Sequence, residues 1–314
     1  MITGIFAGIT WALETIVIAI ALSMTPFVST GEGLFLAPFV STFLHDTFSA
    51  IYMWIITGFR KEWKNIFDIF KTSDFKWIVL ASAIGGPIGM TGYVLAVNYM
   101  GSSIGAIASA VYPAIGSVLA YLFLKEKIKW YQWVFLIFTL VGVLGISYSP
   151  ELNITNFWIG LLGAFMCAFG WGTEGVILSK CLKNTEVKSE YALTIRQTVS
   201  ALIYGGVLIT VLGGWKFVSS LFSYDNASVF LVIMLAALFA TVSYLLYYKT
   251  IEKKGAAKAM GLNITYTAWA MFFSIILFRE YALLNPVTLF FGLVVVVCGI
   301  LSGADIKELF KKQK

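Results

Sequence analysis

Two tryptophans each stand three residues before a glutamate: Trp11 before Glu14, and Trp171 before Glu174. On a helix that spacing puts ring and carboxylate on one face. An indole attracts a cation through its ring quadrupole, by about 2 kcal/mol or more where water is excluded. A nearby carboxylate neutralises the charge so held. The pairing suits an organic cation. Two further groups recur at helical spacing: Tyr244, Tyr247 and Tyr248, and then Asn263, Tyr266 and Trp269. Tyr244 and Tyr248 share a face, with Tyr247 on an adjoining one. Aromatic residues make up 16% of the chain, so a single ring reads first as packing or as part of an interfacial belt. Trp54, Trp63, Trp77, Trp130, Trp133, Trp158 and Trp215 lie near the ends of apolar stretches and are read as belt residues. Trp11 and Trp171 differ because they form a pair, each with its own carboxylate.

Few ionisable residues lie inside apolar stretches: Glu14, His45, Asp46, Glu174 and Arg196. Such residues are expensive in a bilayer and usually functional. His45 is the single histidine. With Asp46 it could relay protons, since imidazole titrates near neutral pH, or it could tie its helix to a neighbour by hydrogen bonds. Asp46 could also pair with Arg196. Structural pairing is the first expectation, and Gln197 joins these three as a coupling or gating candidate. No metal site is expected, because transition-metal sites usually draw on several His or Cys. Cys167, Cys181 and Cys298 have no metal or disulfide spacing. Two of them fall in expected spans and Cys181 in a loop. No cofactor is expected.

These residues are carried by a chain of 314 residues that is 59% hydrophobic and 12% charged, with mean hydropathy +0.87. Soluble domains are about 45–50% apolar and about 25% charged. The composition therefore implies an all-α integral membrane protein and argues against secreted, soluble-enzyme and nucleic-acid-binding classes. Ten membrane spans are expected, at 4–24, 36–59, 76–99, 102–124, 130–149, 156–179, 190–213, 226–248, 256–278 and 284–303. The first stretch has no basic residue ahead of it and reads as a span, not as a cleaved signal. The polar stretch 60–76 could hold a surface-lying amphipathic segment (Trp63, Ile66, Phe67, Ile69, Phe70) or a partly helical loop. Of the 22 Lys and Arg, 19 fall in alternate loops and the tail. By the positive-inside rule both termini face the cytoplasm, in the cell membrane. The net charge of +6 is scattered over those loops, so no nucleic acid is expected as partner, only a small cation and membrane lipid.

The halves of the chain resemble each other. Trp11-Ala-Leu-Glu14 matches Trp171-Gly-Thr-Glu174, the stretch from His45 to Ile51 matches that from Arg196 to Leu202, and Tyr112 to Lys125-Glu126 matches Tyr266 to Arg279-Glu280. The offsets are 160, 151 and 154, in the same order. Five spans per copy is an odd number, so the second copy is inverted. The expected fold is thus two inverted-topology five-helix repeats, 1–149 and 150–303, followed by a basic cytoplasmic tail, 304–314. This architecture belongs to transporters that alternate access around a site near the midplane. Gly85 with Gly89, and Gly101 with Gly105, allow close helix approach. Pro38, Pro87 and Pro113 are expected to interrupt the second, third and fourth spans.

The stretch from Gly92 to Glu126 resembles the drug/metabolite transporter superfamily, of the EamA type. Further motifs narrow the likeness: Gly86-Pro87-Ile88-Gly89-Met90, Gly170-Trp171-Gly172-x-Glu174, Ile195-Arg196-Gln197, Ser243-Tyr244-Leu245 and Gly261-Leu262-Asn263-Ile264-Thr265-Tyr266. With His45-Asp46 they resemble the bacterial choline permeases that supply phosphocholine decoration. The resemblance implies choline import, with Trp11, Trp171 and one or two of Tyr244, Tyr247 and Tyr248 forming an aromatic box. Glu174, Asn263, Tyr266 and Glu14 complete the expected site. Glu14 and Thr91-Gly92-Tyr93 depart from that branch. The alternative is an exporter of amino acids, nucleobases or cationic drugs. No nucleophile elbow, zinc-protease motif or phosphate loop is present, so an enzyme is not expected.

Overall fold

The computed structural model describes residues 1–100, 107, 109–147, 154–183 and 186–305, and among them all regular structure is helical. In chain order the helices are α1 (Ile2–Leu22), α2 (Gly31–Phe59), a short α3 (Trp63–Ile69), α4 (Ser73–Met100), α5 (Tyr112–Leu124), α6 (Trp130–Ser147), α7 (Phe157–Cys181), α8 (Ser189–Ile209), a short α9 (Trp215–Ser220), α10 (Ala227–Lys254), α11 (Ala256–Phe278) and α12 (Pro286–Gly303). Among the described residues nine are long and apolar enough to cross a membrane, and α5 is a shorter apolar helix. The chain is a multi-pass membrane protein. The pair Gly101 and Gly105, the start of the fourth expected span and most of the basic tail lie outside the described residues.

Several boundaries differ from the hydropathy reading, each for a local reason. α2 starts at Gly31, five residues early, because the Thr30 hydroxyl accepts from Gly33 N at 2.9 Å and caps the helix. α10 runs to Lys254, because polar residues are good helix formers and only Gly255, at φ 88°, stops it. α7 ends at Cys181, so that cysteine is helical and not in a loop. α11 is broken by a turn at Ile264 and Thr265 between Asn263 and Tyr266. Pro87 lies in a wide π-turn, Ile84–Ile88, inside α4, which absorbs its missing N–H. Contrary to expectation, Pro38 does not interrupt α2, and its carbonyl accepts from the Ser41 and Thr42 hydroxyls. Pro113 falls in the first turn of α5, where the lost donor is harmless.

Small residues set the packing. α1 packs on α10 and α11, and α7 packs on α4 and α5. α2 meets α8 and α10, α8 also meets α4, and α6 pairs with α12. Gly92 of α4 abuts the α7 backbone so closely that a Cβ would lie 2.6 Å from both Gly163 O and Cys167 N. A Cβ on Gly172 would lie 2.9 Å from Gly116 N of α5. Without a hydrophobic drive between helices in lipid, such contact supplies the dispersion that holds them.

The end that carries the basic loops is tied by polar contacts. Glu126 accepts from Ala256 N at 2.9 Å, Ala257 N at 3.2 Å and the Ser179 hydroxyl at 3.2 Å, so it caps α11 and holds α7. Ion pairs join Lys188 to Glu62 at 3.1 Å, and Arg60 and Lys249 to Glu190 at 3.4 and 3.0 Å. The 60–76 stretch holds α3, with Ile66 and Ile69 buried and Trp63 and Phe67 exposed. Trp54 is not the belt residue expected: its Nε1 donates to Thr198 Oγ1 at 2.9 Å and ties α2 to α8. Lys125 and Arg279 end α5 and α11 with the same left-handed conformation, φ 53° and 57°.

Gly92→Ala is expected to destabilise the detergent-solubilised protein by about 1–3 kcal/mol, because the obstructing atoms, two of backbone and Met166 Cβ, cannot turn aside. Gly206→Ala, with open space around it, is the control. A lower melting temperature for the first variant alone is the expected result; equal shifts would contradict the α4–α7 contact.

Candidate functional site

α1, α5, α7, α10 and α11 enclose a cavity of about 560 Å³, part of it open to the outside. Its aromatic wall is built around the two tryptophans. The Trp11 ring lies edge-on to Tyr244 at 4.9 Å and to Tyr266 at 6.5 Å. The Trp171 ring stacks on Tyr93 at 6.0 Å and lies edge-on to Tyr112 at 6.1 Å. Tyr93 and Tyr244 are 151 residues apart, and Tyr112 and Tyr266 are 154 apart, two of the offsets already met in the sequence. Each tryptophan thus has its two tyrosines at corresponding positions. The Trp171 indole is aimed by its Nε1, which donates to the Gly85 carbonyl in the π-turn at 2.9 Å. Asn263 Nδ2 donates to the Tyr112 hydroxyl at 3.0 Å, and the hydroxyls of Ser109 and Tyr266 are 3.3 Å apart.

Beside this wall lies a buried ionic network. Arg196 Nε donates to Glu174 Oε1 at 2.7 Å, and its Nη2 reaches Glu174 Oε2 at 3.4 Å. Its Nη1 donates to Gln197 Oε1 at 2.7 Å and to Asp46 Oδ2 at 3.4 Å. The guanidinium stands 4.9 Å from the centre of the Tyr244 ring. Asp46 also accepts from the Ser200 hydroxyl at 2.6 Å and faces His45 Nδ1 at 2.9 Å. Gln197 Nε2 donates to Ser49 Oγ at 2.9 Å, which is bonded in turn to Thr241. His45 Nε2 stands 3.6 Å from Glu14 Oε1.

Asp46 accepts from His45 Nδ1, since a carboxylate only accepts. His45 Nε2 has no hydrogen-bond partner, Glu14 standing just beyond reach. The network sets two carboxyl groups, Glu174 and Asp46, against the single guanidinium of Arg196.

Of the expected binding residues, Trp11, Trp171, Glu174, Tyr244, Tyr247, Tyr248, Asn263 and Tyr266 line the cavity. Glu14 does not; it faces His45 on α2 instead. Glu174 is in the wall but already engaged by Arg196, and is not the free carboxylate the Trp–Glu spacing suggested. His45, Asp46, Arg196 and Gln197 form one network, and the Asp46–Arg196 pairing considered from sequence is present. Trp269 is half-buried, edge-on to Phe272, and does not line the cavity. Tyr112, Ser243 and Gly175 line the cavity unannounced. The signal for Tyr112 was its position matching that of Tyr266, which sequence reading used only to align the halves. Among the described residues no cluster of His, Cys, Asp and Glu could hold a metal ion.

The model of the EamA-like transporter family matches residues 1–148 and 158–302. The chain belongs to the EamA-like transporter family. It is 28% identical over 312 residues to Protein LicB of Haemophilus influenzae, covering 98% of this chain and 97% of LicB. It is 25% identical over 233 residues to an uncharacterized transporter of Clostridium kluyveri, covering 72% of this chain and 71% of that one. A solved crystal structure has the same fold, with TM-score 0.72 at 13% identity, over 99% of this chain and 98% of that chain. The family's members are transporters, not enzymes, and the cavity lies within an EamA-like bundle.

Removing one partner of a buried ion pair strands the other, at about 3–5 kcal/mol. Arg196→Gln is expected to be strongly destabilising, and Arg196→Gln with Glu174→Gln less so than the sum of the single changes. Melting curves of the four proteins test this; simple additivity would refute the pair.

Proposed function

We propose that this transporter imports choline or a related quaternary ammonium by alternating access between two inverted five-helix halves. The observation that carries the reading is an aromatic cavity set beside a buried network in which two carboxyl groups meet one guanidinium. A quaternary ammonium has no N–H to donate and presents only apolar methyl groups. It is held by ring faces and favoured by carboxyl groups nearby, and this cavity has the rings in its wall and Glu174 and Asp46 in the adjoining network. The motif resemblance to choline permeases agrees with this chemistry.

Support for ten spans and the two halves comes from matched positions. The contacts of α1 with α10 and α11 correspond to those of α7 with α4 and α5. The left-handed residues Lys125 and Arg279, each followed by glutamate, are 154 apart. Two halves related in this way could pack equally well in two orientations, open to either side in turn. On this reading the positive-inside rule has the end with the basic loops, and both termini, facing the cytoplasm across the cell membrane. A monovalent cation then gains about 2.3 kcal/mol per 100 mV of negative-inside potential, and protons could add to that drive.

The test is uptake of labelled choline into proteoliposomes under a negative-inside potassium diffusion potential, with and without a pH gradient. Saturable, voltage-dependent uptake is expected, falling at least about tenfold in Trp171→Ala, which removes one cation–π wall worth about 2 kcal/mol. Glu174→Gln is expected to abolish uptake. Absence of uptake by folded wild-type protein would overturn the choline reading. Displacement by hydrophobic cationic dyes in place of choline would favour a cationic-drug exporter.

A further inference from the structure

The cavity lies between two groups of helices, α1 with α10 and α11 on one side and α5 and α7, backed by α4, on the other. Three of these helices run from it towards the end with the basic loops. On α11 the cavity residue Asn263 is about one turn from Met260, and Met260 one turn from Ala256. On α7 the cavity residue Gly175 is one turn from Ser179. On α5 the cavity residue Tyr112 is one turn from Gly116, and the helix ends at Leu124, just before Glu126. Met260 is fully buried, and a Cβ on Gly116 or on Gly175 would overlap its sulfur or its methyl. It fills the space between α5 and α7 and plugs the cavity at that end.

Beyond the plug, Glu126 joins the two groups. Its carboxylate accepts from Ala256 N at 2.9 Å and Ala257 N at 3.2 Å, at the start of α11. Ser179, on its own side, donates to it at 3.2 Å and holds it towards α11. Hydrogen bonds from backbone N–H to an ionised carboxylate are among the stronger ones, and a helix start favours negative charge. While they hold, α5 and α11 cannot part at this end. The two halves differ here. Lys125-Glu126 and Arg279-Glu280 are 154 residues apart and follow helices that end in the same left-handed conformation. Glu280 is nevertheless exposed, with no ion pair or side-chain hydrogen bond among the described residues. Halves that exchange conformations exchange these surroundings too, so the opposite-facing state has Glu126 released.

We infer that Glu126 is the latch of the cytoplasmic gate. Bonded to α11, it holds the carrier shut on that side; released, it lets α5 and α11 part and Met260 withdraw. This rests on the alternating-access reading above and on the orientation that goes with it.

Oxidation of the native methionines by hydroxyl radicals, read by mass spectrometry on the purified full-length protein, reports the gate without any substrate. Met260 is expected to be protected in wild type and in Glu280→Ala. In Glu126→Ala it is expected to oxidise about tenfold faster, the population shift that follows loss of one hydrogen bond to a charged group. Met53 of α2, equally buried, is the control for general loosening. A second measurement separates a latch from a mere cap of α11. Glu126→Cys with Ala257→Cys, bridged by a reducible bis-thiosulfonate linker, is expected to lose choline uptake in proteoliposomes and regain it on reduction. A cap would leave uptake intact. The single variants, treated alike, control for Cys167, Cys181 and Cys298. Met260 as well protected in Glu126→Ala as in wild type, Met53 oxidised in step with it, or uptake that survives the bridge would each overturn the inference. Absence of uptake by wild type would remove the choline reading alone, and the oxidation pattern would then decide the latch.

Discussion

A guanidinium inside a membrane protein has to be met by negative charge and acceptors on the sides it presents, and Arg196 is so met. Glu174 of α7 takes one edge and Asp46 of α2 the other, with Gln197 beside them on α8. Each carboxylate is in turn placed by something else. Gly85 is close enough to Glu174 that a Cβ there would overlap the carboxylate. Ser200 and His45 hold Asp46. The desolvation of three charges opposes folding, and what it returns is a fixed arrangement of α2, α7 and α8. The cavity inherits that arrangement, because Glu174 belongs to both and Tyr244 stacks under the same guanidinium.

The aromatic wall depends on the opposite kind of contact, close approach of uncharged backbone. Trp171 reaches Gly85 O only because α7 and α4 touch through glycines and because the π-turn around Pro87 widens the helix there. Trp11 needs α10 within ring contact, and α1 and α10 pack against each other along their length. The result is a chamber whose walls are rigid rings and whose one charged corner is already partly neutralised. On the proposed quaternary-ammonium reading, such a chamber would hold the cation by its rings without offering a bare carboxylate, which would favour hydrogen-bonding ammonium groups as well.

Much of the site was legible because the halves could be compared. Trp11 and Trp171 stood out as a pair, and their tyrosine neighbours follow the same offsets. Glu14 was misplaced because spacing alone was used. Residues three apart on a helix differ by about 60° around its axis. On α7 that angle leaves both Trp171 and Glu174 in the cavity wall. On α1 it carries Glu14 round towards His45 of α2. Trp54 was misread for a related reason: its place near a helix end fits a lipid-facing belt, but α8 lies beside it with Thr198 in reach.

Composition and hydropathy by themselves determined that the chain lies in a membrane and about where its long apolar helices fall, because the bilayer admits only such helices. Residue type determined which buried positions had to be satisfied, since an ionised group in a span cannot go unpaired. Only the tertiary structure decided who satisfies whom. Arg196 lies 22 residues from Glu174 and 150 from Asp46, and no local pattern links them. A helix fixes the directions of its side chains about its own axis; which neighbour stands in each direction is set by how the helices pack.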